Sequence, residues 1–199
     1  MKILRYESNG FAHLGVFTHG MVMDLPTRLS LLEVLNLPRP ERDRLEGQVG
    51  RFFKAPLDKV KLLPPVEPRV VRDFVSFHGH ISGMKKAEPG DGSVPAAWFE
   101  SPVSLLINPY TVKASGAPIP VPPLTKAMDY ELEVAVILRK PAVDVTPEEA
   151  KDLIAGYCIL NDWSARDLQS REMSVGLGPS KGKDFATTLG PWITTPDEL

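Results

Sequence analysis

Two glutamates stand two residues apart, Glu131 and Glu133, in a stretch that is otherwise apolar and β-branched enough for a buried strand, Asp129-Tyr130-Glu131-Leu132-Glu133-Val134-Ala135-Val136-Ile137-Leu138. Side chains at i and i+2 of a strand share a face. The spacing therefore predicts Glu131 and Glu133 side by side, with Tyr130, Leu132, Val134 and Val136 filling the core on the opposite face. Adjacent buried carboxylates repel and are costly to desolvate unless a cation or proton holds them. The pair points to a divalent-metal site. The plainer alternative is an edge strand with one wet face, where glutamates are ordinary.

Other oxygen donors occupy suggestive places. Tyr157-Cys158-Ile159-Leu160 reads as a buried strand running into Asn161-Asp162, so Asp162 sits where site chemistry is common; a helix N-cap is the alternative. Asp73 precedes a loop that also holds His78 and His80. The set Asp73, Glu131, Glu133 and Asp162 is all carboxylate, which suits Mg²⁺, Ca²⁺ or Mn²⁺ and argues against zinc. Residues 178–192 mix glycines with Lys183, Thr187 and Thr188 but do not form a P-loop. Three residues separate Gly178 from Gly182, and Asp184 follows Lys183, where a P-loop needs four residues and a Ser or Thr.

The elements that must position these residues are mostly short strands. Twenty prolines in 199 residues recur between apolar runs, which favours strands and loops over a helical bundle. Ser8-Asn9-Gly10 and Thr18-His19-Gly20 predict turns between N-terminal strands. His13 and His19, near those turns, are expected at the surface. Ser30 with Glu33, and Thr146 with Pro147 and Glu149, have the pattern of capped helix starts; Gly156 is read as ending the second helix. Residues 38–51 suit a loop or a short helix, strands are expected at 103–107 and 111–114, and residues 89–95 have the composition of a loop tip. The prolines of residues 62–68 suggest a linker. The expected division is a small β-rich domain at 1–62, a linker at 63–68 and a larger core at 69–199. Thr195-Pro196-Asp197-Glu198-Leu199 repeats the helix-start grammar with no helix behind it, so we expect a C-terminally truncated version of a longer protein.

A net charge of −2 offers no basic surface for nucleic acid or anionic membrane. The single cysteine, Cys158, rules out an internal disulfide and is expected in the core. No long apolar run or signal peptide is legible, so a cytoplasmic protein is the default.

Three motifs in order, Asp129-Tyr130-Glu131-Leu132-Glu133, Asn161-Asp162-Trp163-Ser164-Ala165-Arg166-Asp167-Leu168-Gln169 and Gly182-Lys183-Asp184-Phe185-Ala186-Thr187-Thr188-Leu189-Gly190-Pro191-Trp192, resemble the fumarylacetoacetate hydrolase family. The resemblance spans roughly residues 70–199. It implies a mainly β (α+β) fold: a small N-terminal β domain, then a rolled mixed-sheet core incomplete at its C-terminal end. Glu131, Glu133 and Asp162 match the family's metal ligands, and Asp73 the fourth ligand of one branch. Lys183 and Thr187 match residues near metal and substrate, and His80 the catalytic histidine that activates water. His78 has no match and is taken as structural. A homodimer is the family's habit.

The implied activity is metal-dependent hydrolysis of a C–C bond in a β-diketo or 2,4-dioxo acid, in aromatic-compound breakdown. A cation polarises the attacked carbonyl, His80 takes a proton from water, and Lys183 helps stabilise the enolate that leaves. Two alternatives stand beside it: an isomerase, decarboxylase or hydratase of 2-oxo or 2-hydroxydienoate acids, and a metal-binding module without catalysis. The chain also departs from the family pattern. Gly83 stands three residues after His80, so the His-x-x-Glu dyad of small acylpyruvate-cleaving relatives is absent. Leu105 and Met173 stand where mammalian-type enzymes place substrate-binding tyrosines.

Overall fold

Asn9-Gly10 and His19-Gly20 fold the N-terminal strands into a meander, because all four residues take positive φ (51°, 80°, 50° and 76°). That pair of left-handed conformations is what a two-residue hairpin loop requires. The computed structural model describes residues 1–87 and 90–199. Contacts divide the chain into two units, Met1–Glu67 with Thr111–Leu199, and Pro68–Tyr110.

In chain order the first unit begins with β1 (Lys2–Ser8), β2 (Phe11–Thr18), β3 (Met21–Asp24), α1 (Leu31–Asn36), α2 (Arg39–Glu46), β4 (Lys54–Pro56) and β5 (Lys61–Leu63). The second unit supplies β6 (Val71–Phe74), α3 (His78–Ala87), α4 (Ala96–Glu100) and β7 (Ser104–Ile107). The first unit resumes with β8 (Val112–Ala114), β9 (Met128–Asp129), β10 (Leu132–Leu138), α5 (Pro147–Asp152) and β11 (Ile154–Asp162). It ends with β12 (Ser164–Ala165), α6 (Arg166–Met173), β13 (Thr187–Leu189) and β14 (Ile193–Thr194). The chain is mainly β.

Among the described residues, the first unit is built on a mixed sheet ordered β4-β3-β2-β1-β14-β11-β13-β8, with β5 on β1 and β10 on β11. β1 pairs with β14 through Lys2↔Thr194 and Ile3↔Ile193, so residues 1–62 and the strands after 110 share one sheet across the expected linker. Ile3 and Leu4 are neighbours on one strand and both fully buried, so β1 is covered on its two faces. Leu4, Tyr6 and Val22 form a core cluster with Phe17, Phe53, Leu62 and Trp192 around it. Burial pushes the Tyr6 hydroxyl up to about 12, with the Asp24 carboxylate adding to it. Cys158 is buried as expected, and the same cause raises its thiol to about 12.

The helix starts follow their grammar. Ser30 and Thr146 each close a full capping box, with Glu33 and Glu149 respectively. Residues 39–46 are helical, resolving the choice between loop and helix. Thr195 leads only into a single 3-10 turn, and its hydroxyl accepts from the N-terminal amino group at 2.9 Å. The expected loop tip at 89–95 falls partly outside the described residues, which omit Pro89.

Two expectations are corrected. Gly156 does not end α5, which stops at Asp152 and is capped by Leu153; Gly156 lies within β11. It is needed there for close packing, since a Cβ would lie 2.5 Å from Ile193 Cγ2 and 2.6 Å from the Thr194 carbonyl oxygen. The second correction concerns the faces of β10. Leu132, Val134, Val136 and Leu138 are 72%, 68%, 48% and 55% exposed, and Tyr130 is exposed as well. The supposed core face is the outer face.

Candidate metal centre

Register on the β10–β11 ladder assembles the site. Leu132 pairs with Asn161 and Glu133 with Leu160, so Glu131, immediately before β10, lies opposite Asp162 at the end of β11. The Asp162 amide donates to the Glu131 carbonyl at 3.1 Å and closes the ladder there. Directly opposed residues of an antiparallel pair share a face. Glu131, Glu133 and Asp162 therefore stand on the face that also carries Cys158 and Leu160, both buried. The carboxylates lie at one end of the core face itself, which is why their apolar strand neighbours point outward. One oxygen from each of the three comes within 4.8 Å of the others.

Two cations balance part of this charge. Lys183, 3% exposed, lies on the loop between α6 and β13, and its Nζ donates to Glu131 Oε2 at 2.6 Å and to Asp162 Oδ2 at 2.5 Å. Arg166 opens α6, donating from Nη1 to Glu131 Oε1 at 2.5 Å and from Nε to Asp129 Oδ2 at 2.9 Å. Burial alone would raise the Glu131 carboxyl, but the hydrogen bonds and charges of Lys183 and Arg166 outweigh it and hold the group below the ordinary carboxylate range. Burial likewise works against the Arg166 cation, and Glu131 and Asp129 overcome it, raising its pKa.

Thr187 on β13 pairs with Asp162 and shares its face. Its Oγ1 is buried and has no hydrogen-bond partner among the described residues. Leaving a buried hydroxyl unsatisfied is costly, so a polar ligand at this point is the natural complement. The all-oxygen donor set, three carboxylates against two protein cations, fits a hard divalent ion. Glu131, Glu133 and Asp162 are the residues of this unit that would hold it.

Of the residues singled out by sequence, Glu131, Glu133, Asp162, Lys183 and Thr187 thus gather in the first unit. Asp73 lies on β6 and His80 in the first turn of α3, both in the second unit. In that unit Asp73 pairs directly with Leu105 on the antiparallel β6–β7 ladder, so the two share a face. His78 is exposed, its ring 6.0 Å from that of Trp98 and 5.9 Å from Phe99. His13 and His19 are exposed, as expected.

Sequence reasoning missed Arg166 and its helix. Arg166, Gln169 and Glu172 recur every three residues, the spacing of one helix face, and that spacing was the available signal. Gln169 Oε1 accepts from Arg166 Nη1 at 3.2 Å. The Glu172 carboxylate accepts from the backbone amides of Ser180, Lys181 and Gly182 at 2.9, 2.7 and 3.0 Å.

Comparison with known proteins follows the same lines. The C-terminal model of fumarylacetoacetate (FAA) hydrolase matches residues 69–199. The fumarylacetoacetase fahA of Aspergillus fumigatus is 41% identical over 236 residues, covering 97% of this chain and 54% of its own. The maleylpyruvate hydrolase of Aquipseudomonas alcaligenes is 26% identical over 215 residues, covering 100% of this chain and 71% of its own. Among solved structures, the fumarylacetoacetate hydrolase of Exiguobacterium antarcticum superposes with a TM-score of 0.71 at 27% identity, over 100% of this chain and 68% of that one. The 5-carboxymethyl-2-hydroxymuconate delta-isomerase of Mycobacterium smegmatis gives a TM-score of 0.67 at 25% identity, over 98% and 67%. The chain spans about half the length, or less, of the curated fumarylacetoacetases it matches. A family match across about two thirds of the chain, on the segment that carries the carboxylates and Lys183, leads to one conclusion: this chain belongs to the fumarylacetoacetate hydrolase family.

Proposed function

We propose that the protein is a metal-dependent hydrolase that cleaves a C–C bond in a β-diketo or 2,4-dioxo acid of the fumarylacetoacetate, acylpyruvate or fumarylpyruvate type. The observation that carries this reading is the buried Lys183 ammonium between Glu131 and Asp162, on a face shared with Glu133 and the unsatisfied Thr187 hydroxyl. Glu131, Glu133 and Asp162 would hold Mg²⁺ or Ca²⁺, or Mn²⁺ in their place. Asp73 as fourth ligand and His80 as base enter from the sequence resemblance. The chemistry a bound hard cation supplies is Lewis-acid polarisation of a substrate oxygen.

The chain's own groups do the rest. His80 takes a proton from water as the water oxygen adds to the carbonyl carbon. The C–C bond then breaks with its electron pair passing to the departing carbon. The Lys183 ammonium stabilises the resulting enolate, a charge a carbon leaving group cannot carry unaided. The Thr187 hydroxyl orients the substrate by a hydrogen bond. Proton return to the enolate carbon completes two acid products.

The test is an assay of the protein against acylpyruvates, fumarylpyruvate and fumarylacetoacetate with Mg²⁺, after chelation, and after Mg²⁺ or Ca²⁺ is restored. Two acids per turnover, lost on chelation and regained with the cation, is the expected result. Activity that survives complete metal removal overturns it. Similarity to the solved delta-isomerase supports a second reading, isomerisation of a 2-oxo or 2-hydroxydienoate acid; a single isomeric product identifies that case.

Three further points belong to the same proposal: residue 69, where the family match begins, opens the catalytic core; the protein is cytoplasmic and serves aromatic-compound breakdown; and it pairs as a homodimer. The exposed apolar face of β10 supports the dimer, since contiguous apolar surface marks interaction sites. Among the described residues no helix is long and apolar enough to cross a membrane.

A further inference from the structure

Lys183 does not sit on a strand or helix, yet it must place one ammonium between two carboxylates. The loop that carries it is tied to α6 from several sides. Its backbone donates three N–H bonds to the Glu172 carboxylate, from Ser180, Lys181 and Gly182. The Gly182 carbonyl accepts from the Ala165 amide at 2.8 Å, at the N-terminal end of the same helix. Gly182 lies so close to the helix that a Cβ would stand 2.8 Å from the Gln169 Cα and backbone nitrogen. The loop then turns back on itself, with the Lys183 amide donating to the Ser180 carbonyl at 2.9 Å.

The same helix face also holds the other side of the site. Arg166, six residues before Glu172, binds Glu131 and Asp129. Glu131 thus receives one cation directly from α6 and a second from a loop that α6 holds through Glu172. A carboxylate that accepts three consecutive or near-consecutive amides is a rigid clamp, because charge-assisted bonds are the stronger ones and their geometry fixes the backbone.

We propose that Glu172 is a positioning residue: by clamping residues 180–182 against α6 it sets the Lys183 ammonium between Glu131 and Asp162. It acts through Lys183 and not on the reacting atoms. The proposal rests on the reading of Lys183 as the group that stabilises the enolate, but its geometry can be tested without turnover.

The test uses Glu172→Gln, which keeps the shape but exchanges a charged acceptor for a neutral amide, and Gly182→Ala, which lifts the same loop from the helix while leaving Glu172 in place. Lys183 is trace-labelled with acetic anhydride and read by peptide mass spectrometry against the exposed Lys59 and Lys151 as internal standards. In the native protein Lys183 is labelled far more slowly than either. In both variants its rate rises about tenfold or more, with Lys59 and Lys151 unchanged. On the substrate found in the assay above, kcat falls about tenfold to a hundredfold with KM nearly constant, the cost of a catalytic group displaced by about an ångström. A general loosening would also open the buried Cys158 thiol to a maleimide, whereas release of the loop alone leaves Cys158 as unreactive as in the native protein. A folded Glu172→Gln protein that labels Lys183 at the native rate overturns the proposal, and if that variant does not fold, Glu172→Asp, which keeps the charge but draws the acceptor back from the three amides, decides by the same criterion. If no substrate is turned over, the functional reading fails on its own and the labelling still decides the role of Glu172.

Discussion

Lys183 is the residue on which most depends. It is nearly fully buried and bonded to Glu131 and Asp162, so removing its charge leaves two carboxylates facing each other in the core face. Lys183→Met should lower stability by about 3 kcal/mol, the scale for breaking a buried pair, measured by urea unfolding. Its kcat should fall about a hundredfold or more. A variant as stable as the native protein would mean that the ammonium does not neutralise the pair. Acid acts on the same contacts. The Glu131 carboxyl is held below its ordinary range, as is that of Glu172, where partial burial is outweighed by the three backbone amides. A depressed carboxyl stabilises the fold fully above the unfolded-state pKa and loses that contribution as pH falls through the lower folded value. Unfolding free energy should thus hold near neutrality and decline once pH drops below the ordinary carboxylate range. A stability flat down to the acid limit would contradict this. Glu131, Glu133 and Asp162 were visible as candidates because carboxylates in apolar strands are conspicuous. Arg166 and Glu172 were not, because charged residues on a short helix are ordinary and only the fold shows what they reach.

Among the elements, β11 does the most positioning. It pairs with β10, β13 and β14, and its last residue is Asp162. Gly156 lets it approach β14 within a distance no side chain allows. Gly156→Ala should cost about 1–3 kcal/mol through overpacking, read from the shift in the urea midpoint, and an unchanged midpoint would show that β14 moves aside without penalty. From the sequence Gly156 looked like a helix terminator, since glycine is a common helix stop. Its packing role depends on Ile193 and Thr194, almost forty residues away, and no local pattern records such a neighbour. The capping boxes at Ser30 and Thr146 were legible because both partners lie within four residues.

For the whole molecule the exposed stripe on β10 is the largest departure from expectation. Leu132, Val134, Val136 and Leu138 face outward beside Ile159, which pairs with Val134 on β11 and is itself half exposed. Replacing Leu132 and Val134 together by Ser should change the stability of the isolated chain by less than about 1 kcal/mol, as exposed positions do. Sedimentation velocity should show the native protein as a dimer and this variant shifted toward monomer. A native protein that is monomeric at high concentration would remove the dimer.

The sequence by itself determined the class of the protein: mainly β, with a carboxylate set suited to a hard cation, and motifs whose order identifies the family. Local rules suffice for that, since turns, caps and residue chemistry act over a few positions. Only the tertiary structure decided which side of β10 is inside. A period of two defines two faces but not their orientation, and here the glutamates won the inner one because Lys183 and Arg166 meet them there. The site is therefore a product of register. The β10–β11 ladder sets Glu131 opposite Asp162, and the clamp on α6 delivers the lysine between them.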